Sequence, residues 1–595
     1  MPPRRIQVAF TAAIFCVALI LFLTHTSSTN PQPAVSDLSN KVSHGIADRL
    51  PKPKLSKLPL PSIYNPFRAG VHKPPVQANS TSGEAKWYDD WKWLNPFSSS
   101  ITLDENRSVL PPLRNRPPIY TFYEPSKPKD KELTEAEHKL LLIWRRAWWA
   151  QGFRPVILGR PEAMNNPLYE KVQSLKLDGE LETDLARWLA WEHMGSGILA
   201  NWLALPMAPY GDPLLAFLRR GEYPVLSRYE NLGSGFFSGG QSDITTAIKQ
   251  ALDSSELPKA KSVLDVLPKD AMRIDGSHES IAFYDSKTIS SKYKEIAEKL
   301  TRSSADAYKM LALLINAHLQ IIFQNAFSKG VLVVRPDLHM TALLEPAMQI
   351  ANSLVACAES PLPASCPPNR LDCKPCVSSQ SFSVSTLPVY RNSSSLYTIG
   401  SVPHPYTVAS LVSQRQSLDT AYIRRKSTRD PWISAVTKEF LGTAIGASAR
   451  LSKFKEAVAS EWGTAHSLWL VAEKEMPADL DWHFGFAIPH NGTDRGLATP
   501  PVPGTQTSKP DPKRKDKEPT EKELQQEKIL VNKASSVVRS PGRQAQPIRD
   551  IAEAWNLADT EAWRFTRAFS ARSRVERLKW LEEEKNFAGG TDEEP

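Results

Sequence analysis

The stretch Asp184–Met207, DLARWLAWEHMGSGILANWLALPM, decides how this chain is read. Leu185, Trp188, Leu189 and Glu192 recur at helical spacing, and Asp184, Arg187 and Trp191 form the neighbouring stripe. The spacing predicts a helix that turns an acid and a base to the same side. Gly195, Ser196 and Gly197 break that helix. The run from Ile198 to Leu205 is almost wholly apolar, the pattern of a strand covered on both faces, and Pro206 closes it. In an α/β domain a strand of this kind ends at a ligand crevice.

Working outward, Ile119–Tyr123 predicts a first strand. Thr134 with Glu137 predicts a capping box, opening a helix whose apolar face carries Leu140, Leu141, Trp144, Trp148 and Trp149 before Gly152 stops it. Phe153–Leu158 predicts a second strand, and the order strand, helix, strand predicts a parallel sheet. Tyr229–Phe237, YENLGSGFF, reads as a further strand. Ser291–Phe327 and Leu343–Ala356 read as helical, ahead of a strand-like Phe382–Ile399.

Residues 116–252 resemble the nucleotide-sugar glycosyltransferases of the Asp-x-Asp type, a group that includes fungal Golgi mannosyltransferases and capsular polysaccharide enzymes. The family pattern is Asp, two residues, Arg, a short helix, two glycines, a strand, then Asp-x-Asp followed by Pro. The resemblance implies an α/β fold, GT-A-like (Rossmann-like), with a mostly parallel sheet and helices on both faces. It assigns Asp184 and Arg187 to the nucleotide, matches Gly197 to the second glycine and Pro206 to the closing proline, and matches Pro167–Tyr169 to a turn after the second strand. It also puts Asn231, ahead of the Phe236–Phe237 pair, at the donor pocket. The metal motif is degenerate. Its carboxylates fall on Asn201 and Leu203 with Trp202 between them, and leucine offers no oxygen to a hard cation. Mn2+ is therefore not expected at these residues, and a nucleotide-sugar donor is the only ligand implied.

Each of these signals has a plainer reading. An Asp and an Arg three apart on a helix commonly form a solvated ion pair, Asn201 suits a hydrogen-bonded core amide, and the tryptophans suit core packing. No catalytic base is identified. Asp265, Asp275 and Asp430 are the later acidic candidates, and none has a supporting motif. His404–Tyr406, Arg424, Arg425, Arg429–Trp432 and His466 are polar groups amid apolar sequence, read first as loop residues.

The 595 residues, 41% of them hydrophobic, can bury one large core or two ordinary ones, whereas 49 prolines place much of the chain outside any core. The net charge of +9 does not point to nucleic acid. Before Trp87 ten Lys and Arg face three Asp and Glu, and no aromatic-basic nucleic-acid motif is present. Arg4 and Arg5 precede an apolar segment, residues 6–24, long enough at ~1.5 Å per residue for most of a ~30 Å hydrocarbon core. It reads as an N-terminal transmembrane helix, a signal anchor with residues 1–5 in the cytoplasm and the body in the lumen; a cleaved signal peptide is the rival. Residues 25–115 read as a Pro-rich stem, interrupted by the aromatic group Trp87, Trp91, Trp93 and Phe97. Asn79, Asn106, Asn392 and Asn491 begin glycosylation sequons. Cys357, Cys366, Cys373 and Cys376 crowd into twenty residues. Two disulfides are expected in a lumen and a zinc site in a reducing compartment, with three disulfide pairings open. They staple a loop within a large helical insertion of the 116–493 glycosyltransferase-like domain. Residues 494–547 have the composition of disorder, and residues 548–588 predict a helix whose aromatic residues dock it back on the body.

The expectation is a single-pass type II protein of the Golgi or endoplasmic reticulum membrane that transfers a sugar from a nucleotide-sugar donor to a glycan or protein acceptor, within a glycosyltransferase complex. The alternative is a catalytically inactive glycosyltransferase-like scaffold or subunit.

Overall fold

In a computed structural model of the chain, β1 (Pro118–Phe122) leads into α1 (Lys131–Ala150) and β2 (Arg154–Leu158), and β2 pairs parallel to β1. The structure describes residues 71–75, 110–125, 130–276, 278–334, 341–370, 372–376, 382–387, 389–402, 436–437, 439, 447–471, 477, 479–488, 546–585 and 587. The N-terminal anchor read over residues 6–24 and three of the sequons (Asn79, Asn106, Asn491) lie outside them. Among the described residues no helix is long and apolar enough to cross a membrane. Asn392 is exposed.

The expected capping box at Thr134 and Glu137 does not form. Helix α1 begins one turn earlier, where the Asp130 carboxylate accepts the Leu133 N–H at 3.1 Å. Glu137 is buried and accepts the Tyr123 hydroxyl at 2.8 Å, because a hydroxyl in the apolar interior needs an acceptor more than a helix end in water does.

After α2 (Arg160–Met164) and α3 (Tyr169–Ser174), α4 (Gly179–Met194) carries the Asp184 segment and ends at Gly195. Gly195 has φ +90, a backbone state that glycine enters without strain. The apolar run that follows is not one strand. It divides into β3 (Gly197–Ala200) and β4 (Ala204–Pro206), because the Asn201 side chain accepts the Leu203 N–H at 2.9 Å and closes a turn between them. Beyond α5 (Pro213–Leu218), the Tyr229–Phe237 stretch is likewise two strands. They are β5 (Ser227–Tyr229) and β6 (Phe236–Gly239), joined by a 3-10 turn at Glu230–Leu232. Then come α6 (Gln241–Asp253), β7 (Arg273–Asp275) and β8 (Ile281–Phe283).

The first sheet has the order β2-β1-β3-β6-β5-β7, and only β6 runs against its neighbours. Alternate residues serve opposite faces. Ile119, Ile198, Ala200 and Phe236 enter one core with Leu140, Trp144 and Trp148 of α1, while Tyr120, Leu199 and Phe237 enter another with Leu185, Trp188 and Trp191 of α4 and Ile244 and Ile248 of α6. Helices therefore cover both faces, and the strands lack polar alternation for that reason.

The region expected to be a helical insertion builds a second sheet. Helices α7 (Ser286–Lys292), α8 (Lys294–Arg302) and α9 (Ser304–Ala326) lead to β9 (Val331–Val334), followed by α10 (Thr341–Val355), β10 (Val384–Leu387) and β11 (Tyr397–Val402). Helices α11 (Ala447–Ala459) and α12 (Glu461–His466) precede β12 (Ser467–Val471) and α13 (Leu480–Phe484). The order β10-β9-β11-β12 is wholly parallel. Val331, Val333, Ile399 and Leu470 share the first core, so one apolar interior joins the two sheets. The opposite face, through Leu332, Val334 and Trp469, packs on α11 and on Ala562, Trp563 and Phe565 of the long C-terminal helix α14 (Gln546–Glu584). Farther along α14, Trp580 stacks on Trp149 with centroids 4.7 Å apart.

The four clustered cysteines form nested disulfides, Cys357–Cys376 and Cys366–Cys373. Their loop is pinned by buried His318. Ser365 Oγ donates to the Leu362 carbonyl, so it accepts from His318 Nε2 at 2.9 Å, and Tyr284 donates to His318 Nδ1 at 2.7 Å. Burial keeps this imidazole neutral and takes its pKa from 6.5 down to about 3. His72 is the opposite case. Burial alone would depress it, but hydrogen bonds and charge from Glu162 (2.9 Å) and Glu584 (3.2 Å) raise it to about 9.

The two histidines set the sign of the pH dependence. The unfolded chain protonates His318 near 6.5 while the folded chain resists to about 3, so stability falls as pH drops through that window. The His72 ion pairs contribute fully below 6.5 and are lost as pH rises through about 9. Stability should peak near neutrality and decline on both sides, by about 1.4 kcal/mol for each unit of pKa difference. Denaturant unfolding from about pH 4 to 10 tests this. His72→Gln should flatten the alkaline limb, and a wild-type curve already flat there would refute the assignment.

Candidate functional site

Five of the six strands of the first sheet share one direction, so β1, β2, β3, β5 and β7 end on one edge, where α/β domains hold their ligands. Asp184 and Arg187 meet on that edge. The Asp184 carboxylate lies 2.8 Å from Arg187 Nη2 and also accepts the Val263 N–H at 2.9 Å. Arg187 Nη1 donates to the Ser234 carbonyl at 3.0 Å, and its guanidinium sits 5.7 Å over the Phe237 ring. Arg187 Nε is buried and has no acceptor.

Asn201 follows β3 directly. Its backbone N–H donates to Gly235 O at 2.7 Å, one residue beyond the carbonyl that Arg187 holds. The loop Ser234–Gly235 thus ties the ion pair and Asn201 to the same strand end. Asn231 is exposed, and its amide donates to the His278 carbonyl at 3.2 Å. The Phe pair expected to line a pocket is instead fully buried, with Phe236 stacked on Trp148 and Phe237 against Trp188.

The Asn201, Trp202, Leu203 triplet does not suit a metal. The Asn201 carbonyl oxygen is engaged by Leu203 N–H, Trp202 packs edge-on to Tyr123 and Tyr308, and Leu203 has no donor. Among the later acids, Asp265 caps its own 3-10 turn by accepting the Lys261 and Ser262 N–H groups. Asp275 pairs with Arg273 at 2.6 Å and lines a cavity of about 290 Å³ with His278. Asp430 lies outside the described residues, as do His404–Tyr406, Arg424, Arg425, Arg429 and Trp432. Arg160, which the sequence reading missed, stands just past β2 on the same edge and bridges Glu124 and Glu182 at 2.6 Å each. Its place after a strand and Gly159 was the available signal.

The larger cavity, about 1470 Å³, opens at the other ends of the strands. Its walls are the lead-ins to β1, β2, β11 and β12, the C-terminal turns of α1 and α9, and residues 569–577 of α14. His466 lines it, stacked on Trp462 at 4.6 Å. Eight arginines and no lysine face four carboxylates there. Arg116 and Arg577 have ion-pair partners in Glu576 (3.7 Å) and Asp479 (3.0 Å), and Arg370 reaches Glu279 (3.6 Å). Among the described residues Arg114, Arg219, Arg220, Arg572 and Arg574 have no carboxylate within ion-pair distance. Neither cavity is lined by Asp184, Arg187, Asn201 or Asn231.

No curated protein and no solved structure matches this chain. Residues 81–595 match a family described as a domain of unknown function (DUF8765), and the chain belongs to that family.

Proposed function

We propose that the protein is a glycosyltransferase-like, GT-A-like α/β protein of the secretory pathway whose nucleotide-sugar donor is held at the carboxyl end of β3. One observation carries this reading. Arg187, paired with Asp184 on a helix, and the backbone N–H of Asn201 at the end of the adjacent strand both bond to the Ser234–Gly235 loop. Arg187 supplies a guanidinium with an unused buried N–H, suited to an oxyanion, and Asp184 fixes its direction. No step runs through an Asp-x-Asp metal. The departing diphosphate is then neutralised by cationic side chains such as Arg187. The nested disulfides and the exposed Asn392 sequon suit a lumenal body, anchored to the membrane through residues 6–24 and acting on a glycan or protein acceptor.

A second reading has its own support. Asp184 and Arg187 spend most of their bonding on each other, Val263 and Ser234, as they would in an inactive scaffold that keeps the fold. Thermal unfolding with a panel of nucleotide sugars, with and without Mn2+, separates the two. The donor-binding reading expects one donor to raise the unfolding temperature, independently of Mn2+, and expects Arg187→Gln to weaken its binding about tenfold or more. Stabilisation by none of the panel would leave the scaffold.

A further inference from the structure

Arginines reach the large cavity from residues 114–116, 219–220, 370 and 572–577, segments far apart in sequence that only the fold assembles. Part of this charge serves the fold. Arg116 Nη1 donates to the Trp149 carbonyl at 2.8 Å and Arg219 Nη1 to Gln151 O at 3.3 Å, satisfying the exposed carbonyls at the end of α1. Arg114 donates to Thr464 Oγ1, Arg572 to the Pro111 carbonyl and Arg370 to the Met207 carbonyl, and Arg577 pairs with Asp479, so six of the eight arginines have structural partners. The side chains of Arg220 and Arg574, both exposed and both lining the cavity, make no hydrogen bond or ion pair with any described residue.

Like charges crowd here at a cost. Burial lowers the pKa of Arg219 and of Arg116, and the charge of Arg114 adds to the lowering in both. A concave wall that excludes part of the solvent intensifies this repulsion and, equally, the attraction for an anion. Arginine throughout, never lysine, suits the forked recognition of phosphate, sulfate or carboxylate oxygens. The cavity exceeds the ~300–1000 Å³ usual for small ligands, so it has room for more than one anionic group.

We infer that this cavity binds a small polyanion carrying two or more phosphate, sulfate or carboxylate groups. The site is separate from the strand-end site and does not depend on the donor reading. It lies at the amino ends of β1 and β2, whereas Asp184 and Arg187 lie toward the carboxyl ends.

The test uses the full-length chain with disulfides intact, in calorimetric titrations with four probes: pyrophosphate, guanosine diphosphate, a sulfated uronate tetrasaccharide and a neutral tetrasaccharide. At least one anionic probe should bind saturably, weaken as salt rises and leave the neutral probe without heat. The double variant Arg220→Gln/Arg574→Gln, which removes no described contact, should weaken that binding about tenfold or more, while Arg154→Gln, paired with Glu583 outside the cavity, should not. The phosphate and saccharide arms identify which source of oxyanions is used. Saturable binding by no anionic probe at low salt would overturn the inference, and so would binding that the double variant leaves unchanged. A nucleotide response lost in Arg187→Gln but kept in the double variant would belong to the strand-end site and count against this one.

Discussion

Gly330→Ala is expected to destabilise the protein by about 3 to 5 kcal/mol, among the largest effects available to a single methyl group. Gly330 turns the end of α9 into β9 with φ +92, where a Cβ costs about 1 to 2 kcal/mol by itself. A Cβ built there would also lie 2.1 Å from the Ser383 carbonyl oxygen. That oxygen accepts the Val331 N–H at 3.1 Å, so the clash pushes β10 off β9 at the start of their ladder. Gly276→Ala is the control, since nothing lies within 4 Å of its added Cβ, and it should shift stability by less than about 1 kcal/mol. Denaturant unfolding of both decides the matter. Similar small effects in the two would mean that the β9–β10 junction yields freely.

Trp188→Ala should cost about 3 to 5 kcal/mol, through lost burial and the cavity left behind. Trp188 is wholly buried between α4 and the first sheet, 5.0 Å from the Phe237 ring and 5.5 Å from Trp191. Its indole N–H has no acceptor, so Trp188→Phe forfeits no hydrogen bond and should cost less than half as much. An equal loss in the two variants would show that the indole N–H matters after all. Because Trp188 sits one residue from Arg187, the alanine variant should also loosen the Asp184–Arg187 pair, readable as weaker donor binding if the strand-end reading holds.

The first half of the fold was legible because its signals are local. The α1 apolar stripe, the glycine after α4 and the apolar strand segments all lie within a few residues of what they specify. The errors came where one side chain outweighed the pattern. Asn201 and the Glu230–Leu232 turn each split an expected strand in two, and the Tyr123 hydroxyl drew Glu137 away from the helix end. Of the second sheet the strand-like reading of Phe382–Ile399 covers β10 and the first residues of β11, whereas β9 and β12 were missed because they are four and five residues long and far apart in sequence. An apolar run such as Val331–Val334 declares neither its partners nor its register. Of the candidate site, the Asp184–Arg187 pair is adjacent by helical geometry alone, whereas the loop at Ser234 that joins it to Asn201 is 47 residues from Arg187.

The sequence by itself determined what depends on neighbours along the chain: the helix that pairs an acid with a base, the loss of carboxylates at Asn201 and Leu203, and the crowding of four cysteines. Only the tertiary structure decided which cysteines join, that two parallel sheets share one core, and that arginines from residues 114 to 577 face a single cavity. The physical reason is range. Helical turns, caps and glycine breaks act over three or four residues, whereas apolar burial and charge act through space between segments whose order along the chain carries no record of their meeting.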